Sequence, residues 1–484
     1  MKYCFSIFLC FYATFAYCSG GDTIRLSLHD VVELAKGNSI ASKQAITTRE
    51  TKYWQWRTYR SNYQPQLSLT GNLPGYSKTN QQVIQPDGTI LFLPVHNDNS
   101  SLTLNFSQSI AATGATIYGE SQLQRFDDFD RHNILYNGVP YAIGLSQPIG
   151  QYNSLKWDKK IQPLLYNESK QAYIEAQEQI SYTATGYFFD LLLAQVNLQI
   201  AKTNFTNTEN ILKIANTKFE LGKITRNEIL QLQLELLNAK KAVGTAKRDM
   251  EISTLNLRSY ISREGDDRIA LVVPEDISPM TVSADSVLAE AYANRSDAIA
   301  FVRRIAEAKR DVAVARGQTG LTASLKANLG FSNSAPNIPA VYRSPQNQQL
   351  LELTFAIPVL DWGRSKSKIK TAQANEQFTE YAVEQDKQTF KQQIVTQVTL
   401  FNQMKEQVGL TAQADSIAGE KYKIAKERYV LGNLSITDLS IAFQENDQAK
   451  RDYVAALRDF WGAYYQLRYL SLYDFEKNEK INYK

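Results

Sequence analysis

"KIANTKFELGKITRNEIL", residues 213–230, and "KIAKERYVLGNLSITDLS", residues 423–440, write one pattern twice, 210 positions apart and without a gap. Lys213, Ile214, Ala215, Leu221 and Gly222 recur as Lys423, Ile424, Ala425, Leu431 and Gly432. A glycine just past an apolar periodic run supplies the left-handed residue that closes a helix, so Gly222 and Gly432 predict helix ends. Three residues on, Thr225 and Ser435 suit the N-cap of a new helix, and Glu228 and Asp438 are placed to reach back to the cap. The first copy is a full Thr-x-x-Glu capping box; the second carries the shorter Asp. Ile224 with Ile229, and Leu434 with Leu439, have the spacing of a hydrophobic staple. Both stretches are expected to be tight tips of antiparallel helical hairpins, at 219–230 and 429–440.

The repetition runs well beyond the tips. At the same offset Ala239-Lys240, Arg248-Asp249 and Leu257-Arg258 recur as Ala449-Lys450, Arg458-Asp459 and Leu467-Arg468, and Pro148 recurs as Pro358. Further upstream "LSLHDVVELAKGN" from Leu26 parallels "VSADSVLAEAYAN" from Val282, and "QLSLTGNL" from Gln66 parallels "TASLKANL" from Thr322, both at an offset of 256. The offsets differ by 46, which places an insertion in the first copy between Leu73 and Tyr141. The expected organisation is a leader (1–18), a first repeat (19–262, insertion at about 75–140), an inter-repeat linker (263–281), a second repeat (282–472) and a tail (473–484).

The leader is read from Met1-Lys2, an apolar run from Tyr3 to Tyr17 and the small residues of "CSGG", the layout of a secretory signal peptide. All three cysteines, Cys4, Cys10 and Cys18, fall at this end, so cleavage behind Cys18 leaves a mature chain without cysteine. Lipid attachment at Cys18 is the alternative, and the bulky Tyr17 before it argues for simple cleavage. A net charge of +4 on 484 residues indicates neither nucleic acid nor a strongly acidic partner.

Four stretches alternate with period two. Leu351, Leu353 and Phe355 alternate with Glu352, Thr354 and Ala356, and Tyr141, Ile143 and Leu145 alternate with Ala142, Gly144 and Ser146. "SLTLNFSQ" from Ser101 and "ASLKANLGF" from Ala323 do the same. Such strands, expected at 322–331 and 350–359 in the second repeat, bury their apolar face in a core or in lipid. The polar faces, with Lys326 and Glu352 among Ser, Thr and Asn, favour barrel strands, with Glu352, Thr354, Ala142 and Ser146 turned to a lumen. Within the insertion, two alternating runs around Ala112-Thr113-Gly114 read as an extra hairpin.

Between strands and tips, Leu155–Phe219 and Ser365–Tyr429 hold no proline except Pro163 and are rich in Ala, Gln, Glu, Lys and Leu. About 65 residues make about 100 Å of helix, a length that implies coiled-coil packing and closure against further copies. Charged positions such as Lys170, Glu175 and Glu178 read as a solvated helix face. His29, His96 and His132 are scattered, and no nucleophile elbow, phosphate loop or zinc motif occurs, so no catalysis is expected.

Taken together these parts resemble the TolC-like outer-membrane efflux proteins, or channel-tunnels. The resemblance rests on "LSLHDVVELAKGNS" at Leu26, "YQPQLSLTG" at Tyr63, "LTFAIPVLDWGRSKSKI" at Leu353 and the two Leu-Gly tips, and it covers nearly the whole mature chain. It implies a mixed α+β membrane protein in which each chain gives four strands to a trimeric outer-membrane barrel continued by a long periplasmic α-helical barrel. It implies a passive conduit for efflux or type I secretion, with no cofactor, in lipid contact, and served by a periplasmic adaptor and an inner-membrane pump of the RND or ABC type. A soluble periplasmic coiled-coil adaptor or a poreless structural protein is the competing reading. By resemblance Asp438, joined by Glu228, would narrow the periplasmic entrance; the position matching the family's second acidic residue is Ile441 here, so one acidic ring is missing. Leu221, Gly222, Thr225, Leu431, Gly432 and Ser435 would form the tips that dock the adaptor, and Leu351, Leu353, Phe355, Tyr141, Ile143 and Leu145 would meet lipid. The insertion departs from the four-strand pattern and is read either as added wall or as an outer loop.

Overall fold

The computed structural model describes residues 23–265, 267–274 and 280–483. The leader with Cys18 and residues 275–279 of the linker lie outside them. The first repeat begins with β1 (Thr23–Leu26), α1 (Leu28–Asn38) and α2 (Ile40–Ser61). Five strands follow, β2 (Gln66–Asn72), β3 (Tyr76–Ile84), β4 (Ile90–Ile110), β5 (Ala115–Asp128) and β6 (Asn133–Ile149). The first long hairpin is α3 (Ser154–Glu220) and α4 (Arg226–Tyr260), and β7 (Arg268–Leu271) ends this half. Then come α5 (Ala284–Asn294), α6 (Ser296–Gly317), β8 (Thr322–Ala335), α7 (Ile338–Arg343) and β9 (Gln346–Ala356). The second hairpin is α8 (Arg364–Val430) and α9 (Ile436–Ser471), followed by β10 (Tyr473–Asp474) and β11 (Glu479–Lys480).

Element lengths follow the sequence offsets. α1 and α5 are both 11 residues long, α2 and α6 both 22, and α3 and α8 both 67. Among the described residues no helix is long and apolar enough to cross a membrane.

The chain divides into two compact units. One takes residues up to Ala45, Glu175–Val287 and those from Ile394 on; the other takes Ile46–Ile174 and Leu288–Gln393.

The first unit is helical. Phe188, Phe189 and Leu191 of α3, Leu257 of α4, Val31 of α1, and Leu457 and Leu467 of α9 are almost wholly buried and form its core. β1 pairs in parallel with β7, which brings the start of the described chain against the linker, and β10 pairs with β11 in the tail. Toward the tips, Ala215, Ile229 and Leu232 of the first hairpin and Ala425, Tyr429, Leu439 and Ala442 of the second form small cores, and Ile436 packs against both.

The second unit is built on an antiparallel sheet in the order β2-β4-β5-β6-β8-β9. β4 is 21 residues long and carries two shorter partners: β2 along Ser101–Ser107 and β3 along Ile90–Asp98. Between them Gly75 donates its N–H to Asp98 Oδ1 at 2.7 Å and accepts from Asn99 N at 3.0 Å. A Cβ on Gly75 would stand 2.0 Å from the Asn99 carbonyl oxygen, so this crossing of the chain needs glycine. Strand β8 runs four residues past the sequence expectation, to Ala335, whereas β9 stops at Ala356, two residues before Pro358. Next to the sheet, Trp56 of α2 stacks on Tyr166 of α3, ring centroids 5.1 Å apart, and Tyr63 Oη donates to the Leu155 carbonyl at 2.7 Å.

Candidate functional site

Both tips have the same backbone device. At the first, Gly222 sits at φ 69°, its N–H donates to Phe219 O, and Lys223 N donates to Lys218 O, both at 2.8 Å. At the second, Gly432 sits at φ 84°, its N–H donates to Tyr429 O at 3.0 Å, and Asn433 N donates to Arg428 O at 2.9 Å. A Cβ at either glycine would meet nothing within 4 Å, so the positive φ alone selects glycine there. Leu221 and Leu431 stand exposed at the turns.

The caps differ, and the difference bears on the carboxylates. Glu228 closes a full box: Thr225 N donates to its Oε2 at 2.6 Å, the Thr225 hydroxyl does so at 2.9 Å, and Thr225 Oγ1 accepts from Glu228 N. The hydrogen bond from the Thr225 backbone, followed by that from its hydroxyl, holds the Glu228 carboxyl below the usual range. Asp438 receives the Ser435 hydroxyl at 2.7 Å and donates its own N–H to that oxygen at 3.1 Å. Asp438 is exposed and lines a groove of about 400 Å³ with Ile417, Glu420, Lys421, Ile424 and Arg428. An aspartate is able to close such a box, since Asp30 does so with Ser27 at the start of α1.

On the sheet, the pairing register sorts side chains onto two faces. Leu69 opposes Leu104, Ile117 opposes Leu145, Ile143 opposes Leu329, and Leu353 opposes Leu325. Tyr141 and Phe331 bring their rings to 4.9 Å on that same face. The opposite face carries Asn105 against Glu120, Glu120 against Ala142, Ser146 against Lys326, and Lys326 against Glu352. Tyr118 lies over Gly144, where a Cβ would come within 2.6 Å of three ring or hydroxyl atoms. Exposure on β6 runs opposite to that of a soluble sheet: Tyr141 and Ile143 are exposed while Ala142 and Gly144, which alternate with them, are buried. On β4, Leu102, Leu104 and Phe106 are exposed while Ser101, Thr103 and Asn105 are half-buried. Leu351, Leu353 and Phe355 are exposed too, Leu145 is half-buried, and Glu352 and Thr354 on the edge strand are open on the polar face.

Two buried polar groups escaped the sequence reading. Glu178, read there as a solvated position, is wholly buried and receives Nε of Arg468 at 2.9 Å and the Tyr483 hydroxyl. Arg468 also reaches Asp474, so one guanidinium ties α3, α9 and the tail together. Burial opposes the Arg468 charge, but the Glu178 and Asp474 carboxylates hold it more firmly protonated than usual. Burial and the Glu178 charge push the Tyr483 hydroxyl well up. The available signal was phase: Glu178 keeps helical step with Ile174, Ser181 and Thr185, all buried. Asp447 of α9 is buried as well; Asn204 Nδ2 of α3 donates to it at 2.6 Å, and burial raises its carboxyl above the usual range. Among the described residues no group of His, Cys, Asp and Glu is placed to hold a metal ion.

Residues 287–471 match the family model for outer membrane efflux proteins. Solved structures extend the likeness to almost the whole chain. The CmeC outer membrane channel of Campylobacter jejuni superposes with a TM-score of 0.64 at 17% identity, covering 94% of this chain and 87% of CmeC. The fold is that of the outer-membrane efflux channels. The outer membrane protein VceC of Vibrio cholerae matches with a TM-score of 0.63 at 14% identity, over 94% of this chain and 97% of VceC. The MtrE outer membrane channel of Neisseria gonorrhoeae, solved in its open state, gives 0.60 at 15% identity, over 92% and 88%. No curated protein sequence matches the chain significantly. The channel fold agrees with the resemblance read from the paired tips and the alternating strands.

Proposed function

We propose that this chain is the outer-membrane channel of a tripartite efflux or type I secretion system, a passive conduit from periplasm to exterior. The observation that carries the reading is the inverted exposure of the inner strands β4 and β6: Leu102, Leu104, Phe106, Tyr141 and Ile143 face outward, and the polar and small residues that alternate with them are the more sheltered ones. In water that arrangement is unfavourable; a lipid-facing wall around a polar lumen requires it. The fold likeness and the family match over residues 287–471 support the same reading. A soluble adaptor would leave Leu351, Leu353 and Phe355 in water.

Assembly follows from surfaces left open. On α8, Leu410, Ile417 and Ile424 are exposed at seven-residue spacing, continued by Leu431 in the turn, and on α4 Leu230, Leu234 and Leu237 form a second exposed stripe. Heptad stripes of this kind are buried by helices of another chain. We read the assembly as a homotrimer built from duplicated halves, so that two tips per chain give a ring of six near-equivalent tips. The adaptor docks at those tips and the inner-membrane pump supplies the energy; the channel itself calls for no cofactor and performs no catalysis. We assign the N-terminal segment, the inter-repeat linker and the tail to an equatorial region of the assembly, a reading supported by the pairing of β1 with β7 and by the cavity that Leu28, Val272 and Tyr483 line together.

The direct test is to fractionate membranes and run mild-detergent extracts without heating. A heat-modifiable trimer in the outer-membrane fraction is expected. A monomer recovered from the soluble periplasm would contradict the proposal.

A further inference from the structure

The insertion stays within the sheet. β4 and β5 pair along the whole of β5, from Asn97↔Asp128 to Ile110↔Ala115, with β2 on one side and β6 on the other. The sheet thus has six positions, with β3 prolonging the β2 position alongside β4. Every ladder is antiparallel, so directions alternate from β2 to β9 and the two edge strands run opposite ways. Every residue of both edges is exposed. Neither edge strand contains proline, and Glu352 is the one charged residue in the two. Exposed edges with a single charge and no proline are normally covered by pairing.

A second copy of this chain fits that edge. With an even number of alternating positions, β2 of the next copy meets β9 antiparallel whatever the number of copies. Leu67 and Leu69 then continue the apolar face of Leu353 and Phe355, and Ser68 continues the polar face of Thr354. We infer that each chain contributes six strands to the wall rather than the four that the family resemblance implies, eighteen in the three-copy assembly. This rests on the channel and trimer reading above. Strands spaced about 4.8 Å apart and tilted about 40° give a backbone diameter of about 36 Å for eighteen strands, against about 24 Å for twelve. A bore of the larger class holds an open aqueous lumen.

The inference is tested on the full chain, purified as its assembly and reconstituted in lipid, with a nitroxide at Phe355→Cys. Distances between equivalent backbone positions on three copies are expected near about 31 Å, half again the value of about 21 Å for a twelve-stranded wall. In parallel, a label at Phe106→Cys is expected to be reached by lipid-soluble oxygen, and one at Asn105→Cys by a water-soluble nickel chelate. Inter-copy distances of the shorter class, or both β4 labels open to water while Phe355→Cys and Thr354→Cys still alternate, would overturn the six-strand count and leave the channel reading standing. Absence of any inter-copy coupling would remove the assembly reading and the count with it.

Discussion

The wholly buried Glu178 carboxylate accepts a 2.9 Å hydrogen bond from Nε of Arg468, 290 positions further along the chain. Asp474 takes a second edge of the same guanidinium, and Tyr483 donates its hydroxyl to Glu178. Removing one partner of a buried pair leaves an uncompensated charge, which costs about 3–5 kcal/mol, whereas replacing both by apolar groups costs far less. Arg468→Leu is therefore expected to lower stability by at least that amount, and Glu178→Leu/Arg468→Leu/Asp474→Asn, which removes all three charges, by much less, read from denaturant unfolding of the full chain. Losses that simply add from the single variants to the triple one would show that the three groups are not coupled.

Asp447 offers a pH dependence of definite sign. Burial raises its carboxyl in the folded state above the unfolded value, so the ionised form opposes folding at neutral pH and the opposition fades as pH falls through the folded-state value. Asp447→Asn keeps an oxygen for the Asn204 amide and removes the charge. Its unfolding midpoint is expected above wild type at pH 7, with the gap closing below about pH 4. A variant less stable than wild type at pH 7 would contradict this.

At the tips the two carboxylates are expected to separate by role. Glu228 closes a capping box with its carboxyl held below the unfolded value, so its contribution is present above that value and lost as pH falls through the folded one. Glu228→Gln should lower stability by about 0.5–2 kcal/mol with little effect on ion selectivity. Asp438, held by a side-chain hydroxyl and exposed beside its groove, should behave in reverse: Asp438→Asn changes cation selectivity and block by multivalent cations. Unchanged selectivity in Asp438→Asn would place the gate elsewhere.

The strand faces make a paired prediction. An Arg at Leu351, midway along β9 on the exposed apolar face, should cost about 2–4 kcal/mol, and an Arg at Thr354 on the polar face much less. Insertion efficiency in outer-membrane fractions reports the difference. Equal insertion of both variants would reverse the assignment.

Much of this architecture could be read directly from local patterns. Gly222 and Gly432 mark the tips because left-handed φ and cap spacing are local physics, and the alternation around Ile143 and Phe355 marks the strands for the same reason. Long-range pairing was not legible. Glu178 looked solvated because its partner Arg468 lies in the other repeat, and charge alone does not reveal a helix seam. The insertion read as a hairpin, but whether Leu104 and Ile117 join the wall depends on the ladders to β2 and β6, which no local pattern specifies. Asp438 shows the same limit on a small scale: sequence spacing permits a box, and only the geometry shows that its carboxylate receives the Ser435 hydroxyl.

The central claim is that this chain lines an aqueous path through the outer membrane, and single-channel recording in planar bilayers tests it most directly. Purified, unheated assembly is expected to give discrete, cation-selective conductance steps whose selectivity changes in Asp438→Asn. Folded assembly that inserts into the bilayer yet passes no ions, in wild type and in Asp438→Asn alike, would contradict the account.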